Sequence, residues 1–248
     1  MIRIVNLHKT IQNQPILRGL DLTIETGESL VIVGRSGGGK SVLLKHILGI
    51  MTPDSGEVWY DQTNLTTLTD RELTPKRRQM GMVFQNGALF DSMNVEENVA
   101  FSLREHTNTS NEETHTQVVH ALELVGLKGQ ERKMPSDLSG GMRKRVALAR
   151  AIISHPKLML YDEPTAGLDP IASDSIDKLI LRMSEHFSIT SVIVTHDMKS
   201  ACEIADRIAM LHQGKIYGIF TPEELRASQD PVIYKFVHGI SEGTQAAF

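Results

Sequence analysis

An α/β fold with a mainly parallel sheet, interrupted by a helical segment, is what this 248-residue chain predicts. Three observations carry that expectation. Short apolar, β-branched runs alternate with helical stretches along most of the sequence. A glycine-rich turn separates one such run, Leu30-Val31-Ile32-Val33, from a helix that begins at Lys40. Between Phe90 and His155 the alternation gives way to helix and polar loop.

In chain order, the start Met1-Ile2-Arg3-Ile4-Val5 reads as a strand and lacks the layout of a signal peptide. The helix from Lys40 runs to Leu48, and Gly49 is placed to end it. Asp54-Ser55-Gly56 is a turn before a strand around Val58-Trp59-Tyr60. Further strands are expected at Met82-Val83-Phe84, Leu158-Met159-Leu160-Tyr161, Val192-Ile193-Val194 and Ile208-Ala209-Met210-Leu211. The polar stretch His106 to Thr116 holds a capping box, Ser110 with Glu113. Met142, Val146, Ala149 and Ile153 recur at helical spacing, so that helix buries one face, and Pro156 terminates it. Thr221-Pro222-Glu223-Glu224 is a helix start, with cap, proline at the first position and glutamate at the third. The expected organisation is one domain over 1–240. Its core is formed by about 1–88 and 156–220, with a helical subdomain at about 89–155. A C-terminal helix and tail follow over 221–248.

The composition, 40% hydrophobic and 23% charged, is that of a globular protein. No apolar run approaches the roughly 18 residues of a membrane-spanning helix. The single cysteine, Cys202, excludes an intrachain disulfide and fits a reducing cytosol. A net charge of −4 argues against a nucleic-acid partner, since phosphate neutralisation dominates such binding. Two basic runs, Lys76-Arg77-Arg78 and Arg143-Lys144-Arg145, read as solvated helix faces. Ten histidines occur without an HExxH or Cys/His cluster, so no metal is expected besides nucleotide-bound magnesium.

The chemistry begins in the turn after the first buried run. Gly34-Arg35-Ser36-Gly37-Gly38-Gly39-Lys40-Ser41 is a Walker A loop, the mark of a P-loop NTPase. Its glycines let backbone N–H groups approach a triphosphate, and the following helix adds its positive N-terminus. Gly34, Arg35, Ser36, Gly37, Gly38, Gly39, Lys40, Ser41 and Val42 are therefore nucleotide-binding candidates. Lys40 reaches for the β- and γ-phosphates, and the Ser41 hydroxyl for magnesium. Leu158 to Tyr161 followed by Asp162 and Glu163 is an apolar strand ending in two acids, the Walker B pattern. Asp162 would hold magnesium, directly or through water, and Glu163 would polarise the attacking water as general base. His196 follows a strand at the edge where open α/β sheets bind ligands, placed to meet the γ-phosphate and orient that water. Gln85, at the end of the strand from Met82, is a candidate magnesium ligand and γ-phosphate sensor.

A second anion-binding helix start stands at Leu138-Ser139-Gly140-Gly141-Met142. Ser139 is an apt N-cap, but a cap does not require two following glycines. Gly140 and Gly141 leave the helix start sterically open to an anion. With one ATP already held at Gly34–Ser41, Ser139, Gly140 and Gly141 should meet the γ-phosphate on a second copy. Two copies head to tail would then enclose two nucleotides.

Together these residues resemble the ABC transporter ATPases, over nearly the whole chain and in the family's order. Walker A at 34–41, Gln85, the signature 138–142, Walker B at Asp162-Glu163, a D-loop at Ala166-Gly167-Leu168-Asp169 and His196 carry the resemblance. It implies a RecA-like ABC ATPase core with an inserted α-helical subdomain, an ATP–Mg sandwich homodimer, and hydrolysis coupled to a membrane permease. A narrower likeness, to the ATPases of the Mla (MCE-linked) lipid-transport systems, rests on Phe84 to Met93, Asn98 to His106, Pro135-Ser136-Asp137 and Gly239-Ile240. That branch implies phospholipid cargo, an MCE-domain protein, a possible STAS-domain subunit and a place at the cytoplasmic face of the inner membrane. It also implies that the stretch after Gln85 docks the permease and that the C-terminal tail touches the partner ATPase. Other cargoes, such as amino acids, metals or lipoproteins, share the same engine and stay open, as does a non-transport ABC ATPase. Many relatives stack an aromatic on adenine near position 11. Ile11 offers apolar contact without a π-face, so weaker adenine discrimination is expected.

Overall fold

The computed structural model describes residues 1–240. The chain opens with strands β1 (Ile2–Ile11) and β2 (Gln14–Ile24). They are joined by Gln12 and Asn13, both at positive φ, as a tight two-residue hairpin requires. β3 (Ser29–Val33), α1 (Lys40–Ile47), β4 (Ser55–Tyr60), β5 (Thr63–Asn64), α2 (Asp70–Arg77) and β6 (Met80–Val83) follow. Three helices come next: α3 (Val95–His106), α4 (Asn111–Leu124) and α5 (Gly140–Ile152). The chain then returns through β7 (Leu158–Asp162), α6 (Pro170–Phe187), β8 (Thr190–Thr195), α7 (Met198–Ile204), β9 (Arg207–His212) and β10 (Lys215–Phe220). It finishes with α8 (Pro222–Ala227) and α9 (Pro231–Val237). The part of the expected tail beyond Ile240 lies outside the described residues.

Six strands form the central sheet in the order β10-β9-β3-β8-β7-β6, parallel throughout except for β10. Both of its faces are covered, which is why its strands read as continuous apolar runs. Leu30, Ile32, Leu160 and Val194 face one core, shared with α1 and the first strands. Val31, Val33, Tyr161 and Ile193 face the other, shared with α5 and α6. Beside this stands a four-stranded antiparallel sheet, β2-β1-β4-β5. Strands at 1–5 and around 58–60 are expected from the sequence, but their separate sheet is not. The physical signal is there: in β1, buried Ile2 and Ile4 bracket exposed Arg3, the alternation of a strand wet on one side.

The two basic runs depart from their expected role as solvated faces. Arg77 donates to the carbonyls of Leu48 at 3.3 Å and Gly49 at 2.6 Å, satisfying acceptors that the end of α1 leaves unpaired. Arg145 donates to Ser175 Oγ at 2.7 Å and to the Val125 carbonyl. Lys144 is buried. The reason is that Val146, Ala147, Leu148 and Ala149 are all buried in succession, so α5 has little solvated face to offer.

Candidate active site

β3 carries the chain straight into the glycine turn at the C-terminal edge of the sheet. A Cβ on Gly34 would lie 2.5 Å from the Leu211 carbonyl oxygen, so only glycine passes there. Gly39 sits at φ 101° with Ile16 Cγ2 2.9 Å from where its Cβ would be. It begins α1 with no side-chain cap, leaving that helix's first N–H groups for an anion. Lys40 folds back over the turn, donating to the carbonyls of Gly34 at 2.8 Å and Arg35 at 3.2 Å. Burial pushes its pKa down, against the opposing pull of Glu163 and Asp162.

β7 delivers the two acids. Asp162 Oδ1 accepts from Ser41 Oγ at 2.8 Å, bringing together a hydroxyl and a carboxylate, both hard oxygen donors of the kind magnesium prefers. Glu163 adopts φ 49°, an uncommon conformation for a non-glycine residue. Its N–H donates to the Val194 carbonyl of β8 at 2.9 Å. Its side chain is only 12% exposed and lies between two groups. Oε1 is 3.6 Å from Lys40 Nζ, and Oε2 is 2.9 Å from His196 Nδ1.

His196 leaves the end of β8 with its side chain 62% exposed. A carboxylate only accepts, so the contact with Glu163 assigns the proton to Nδ1 and leaves Nε2 as the other ring atom. Asp197 fixes the following turn by accepting from Lys199 N at 2.8 Å and Ser200 N at 3.3 Å at the start of α7.

The remaining expected residues lie on the helical side. Gln85 is exposed in the turn after β6, one residue further from the strand than expected, and its carbonyl accepts from Lys144 Nζ. Ser139 caps α5 by accepting from Met142 N at 3.3 Å. Around the glycine pair, the nearest atoms to added Cβ groups are Leu168 Cδ2 at Gly140 and Ala172 Cβ at Gly141. Ser41, Asp162, Lys40, Glu163 and His196 are thus linked by direct contacts. Gly140 and Gly141 instead lie beside Leu168 and Ala172, away from that cluster. Lys144 was missed. Its signal was the fully apolar Val146–Ala149 run, which leaves a neighbouring lysine no open face.

A strand-borne glycine turn feeding an uncapped helix, with two acids and a histidine on the adjoining strands, is built to bind and split a nucleoside triphosphate. The family profile described as ABC transporter matches residues 17–166. The chain belongs to the ABC transporter ATPase family. It is the ATP-binding, ATP-hydrolysing type of subunit. It is 42% identical over 231 residues to the intermembrane phospholipid transport system ATP-binding protein MlaF of Escherichia coli strain K12. That match covers 93% of this chain and 86% of the relative. It is 40% identical to the probable ribonucleotide transport ATP-binding protein mkl of Mycobacterium bovis, over 96% of this chain and 66% of the relative. Among solved structures, this ABC ATPase superposes on the dimeric post-hydrolysis state of the cassette MJ0796 bound to ADP and Pi with a TM-score of 0.83. The identity is 33%, over 90% of this chain and 99% of that one.

Proposed function

We propose that this ABC ATPase hydrolyses ATP as a head-to-tail homodimer and drives a permease that moves phospholipid. The observation that carries the catalytic part is the placement of Glu163 between Lys40 and His196 at the mouth of the glycine turn. Gly34 to Val42 bind the phosphates of ATP, with Lys40 at the β- and γ-groups. Glu163 takes the proton of the attacking water, and His196 orients that water against the γ-phosphate. Ser41, Asp162 and Gln85 would hold magnesium, whose charge when bound offsets that developing on the transferred phosphoryl group. Ser139, Gly140 and Gly141 close over the nucleotide of the second copy. These surfaces divide between a core (about 1–88 and 156–220), a helical subdomain (about 89–155) and a C-terminal part from 221.

A groove of about 930 Å³ lies where the helical segment meets the sheet edge. Met82, Phe84, Phe90, Phe101, Leu103 and Arg150 are among its lining residues. The Phe90 and Phe101 rings meet at 4.7 Å, and Arg150 lies over Phe90 at 5.9 Å. A mostly apolar groove that Arg77, Arg78 and Arg150 also line suits a short helix of a membrane partner. Among the described residues, no helix is long and apolar enough to cross a membrane. The likeness to the Mla branch supports a place at the cytoplasmic face of the inner membrane, with an MCE-domain protein and a STAS-domain subunit as further partners.

Phospholipid is favoured over ribonucleotide because the MlaF match spans 86% of that relative, against 66% for mkl. The test is co-expression with a neighbouring permease, followed by ATP-dependent transfer of labelled phospholipid between vesicles. Transfer of ribonucleotide without lipid would overturn the cargo. The composite site is tested by mixing Lys40→Ala and Ser139→Arg chains. Dimers that combine the two lesions retain one intact composite site, so the mixture should recover activity that neither variant has alone.

A further inference from the structure

Lys144 is buried in the middle of α5 with 6% of its surface exposed. Its ammonium donates to the Gln85 carbonyl and, at 3.3 Å, to the Glu163 carbonyl. Among the described residues no carboxylate oxygen comes within 4.0 Å of it. A cation taken out of water and given two peptide oxygens in place of a carboxylate is a costly arrangement, retained where those peptides must stay where they are.

Glu163 is the peptide that needs holding. Its left-handed φ of 49° is strained for a side-chain-bearing residue and persists only where neighbours over-determine it. On one side, the Glu163 N–H is fixed to Val194 O at 2.9 Å. On the other, the Glu163 carbonyl is shared between Ala166 N at 3.2 Å and Lys144 Nζ. Ala166 belongs to the same turn and moves with it. Lys144 is the restraint that comes from a different element.

That element also begins at Ser139. Lys144 lies about 6 Å along the helix axis from Gly140, at 1.5 Å per residue, and a single rigid helix connects them. We infer that Lys144 is a positioning residue that ties the aim of Glu163 in one site to the seating of α5 on the second copy's nucleotide. Docking of Ser139–Gly141 draws α5 into place, and Lys144 carries that placement to the Gln85 and Glu163 peptides. Without the donor, the base keeps its charge and its histidine but loses its register with the attacking water. This inference rests on Glu163 being the general base.

The experiment measures steady-state ATP hydrolysis by the full chain as Lys144→Met, Lys144→Arg and Glu163→Gln. Because a misplacement of about 1 Å can cost on the order of 100-fold, Lys144→Met should lose roughly 10- to 100-fold in kcat. KM for ATP should stay within about threefold, the pattern of a group that acts on the reaction and not on nucleotide binding. Lys144→Arg, which restores donors to both carbonyls, should recover much of the lost kcat. A parental kcat in Lys144→Met, or an arginine variant no better than methionine, overturns the inference. If the methionine chain lacks a cooperative melting transition, Lys144→Leu replaces it in the same comparison. A fully active Glu163→Gln would instead overturn the assignment of the base. An inactive Glu163→Gln beside an unaffected Lys144→Met removes the tether alone.

Discussion

Glu163 Oε2 and His196 Nδ1 meet at 2.9 Å across the ends of two adjacent parallel strands, β7 and β8. The pair depends on the sheet register, since neither residue is within 30 positions of the other. With the imidazole proton committed to Glu163, the carboxylate has one oxygen toward the histidine and one toward Lys40. Replacing Glu163 by Gln should lower turnover by about 10²–10⁴-fold while ATP is retained. His196→Ala should also reduce kcat, with less effect on nucleotide binding. Single-turnover hydrolysis and retention of labelled ATP on a filter check both outcomes.

Ser41 Oγ and Asp162 Oδ1, 2.8 Å apart, supply the oxygens proposed for magnesium. Ser41→Ala should raise the magnesium concentration needed for half-maximal hydrolysis by roughly 10- to 100-fold, the range seen when support for a metal is lost. A magnesium titration at saturating ATP reads this directly. Chelation should abolish hydrolysis in the parent.

Asp177 on α6 is buried, accepts from Ser200 Oγ of α7 at 2.6 Å, and leaves Oδ1 without a hydrogen-bond partner among the described residues. Burial pushes its pKa up to about 6, with Glu203, Asp197 and Asp174 adding to the rise. An acid raised above its ordinary value binds its proton more tightly in the folded chain. Its contribution is therefore present at about pH 4 and lost as pH climbs through about 6. Asp177→Asn should remove that loss, gaining on the parent by roughly 2 kcal/mol above about pH 6, with little difference near pH 4. Urea unfolding of both chains across this range measures the difference.

Asn98 is fully buried and organises the loop that borders the groove. Its Oδ1 accepts from Phe90 N at 2.8 Å, and its Nδ2 donates to the carbonyls of Phe90, Met93 and Asn94 at 2.9 to 3.0 Å. Asn98→Ala should destabilise the fold by about 2–4 kcal/mol, because several buried backbone groups lose their partner. Thermal unfolding checks the cost. In the assembled transporter, permease-stimulated hydrolysis should fall more than the rate of the ATPase alone.

Ile11 closes β1, near the position where the resemblance to ABC ATPases implies an aromatic against adenine. Ile11→Tyr should tighten ATP binding by about 1–3 kcal/mol, the scale of aromatic–base stacking. Titration of both chains with ATP reads the gain. A parent that already binds ATP as tightly as Ile11→Tyr would contradict this reading of Ile11.

Much of this architecture could be read from residues alone. Leu30–Val33 and Leu158–Tyr161 announce buried parallel strands because they are apolar on both faces, and Ser110, Glu113, Thr221 and Glu224 announce helix starts through local pairings. The glycine turn and the acid pair were visible because their chemistry is local in the chain. What stayed hidden was non-local. The β1–β4 pairing joins Ile4 to Val58 across more than 50 residues, and no short-range pattern chooses a second sheet over an extension of the first. Arg77 ends a helix 28 positions away, and Lys144 finds its acceptors 59 and 19 positions away, so charge runs alone suggested solvated surfaces.

Further along α5, Arg150 donates at 2.7 Å to the carbonyls of both Gly87 and Ala88, the backbone beside the groove. One bar is therefore gripped near its middle by the catalytic peptide and near its end by the rim where a membrane partner would push. In the proposed dimer, a load applied at that rim and a nucleotide arriving at Ser139 would work the same lever from opposite ends. Equilibrium coupling is reciprocal, so a nucleotide that favoured the seating of a permease would be bound more tightly, to the same extent, once that permease was seated.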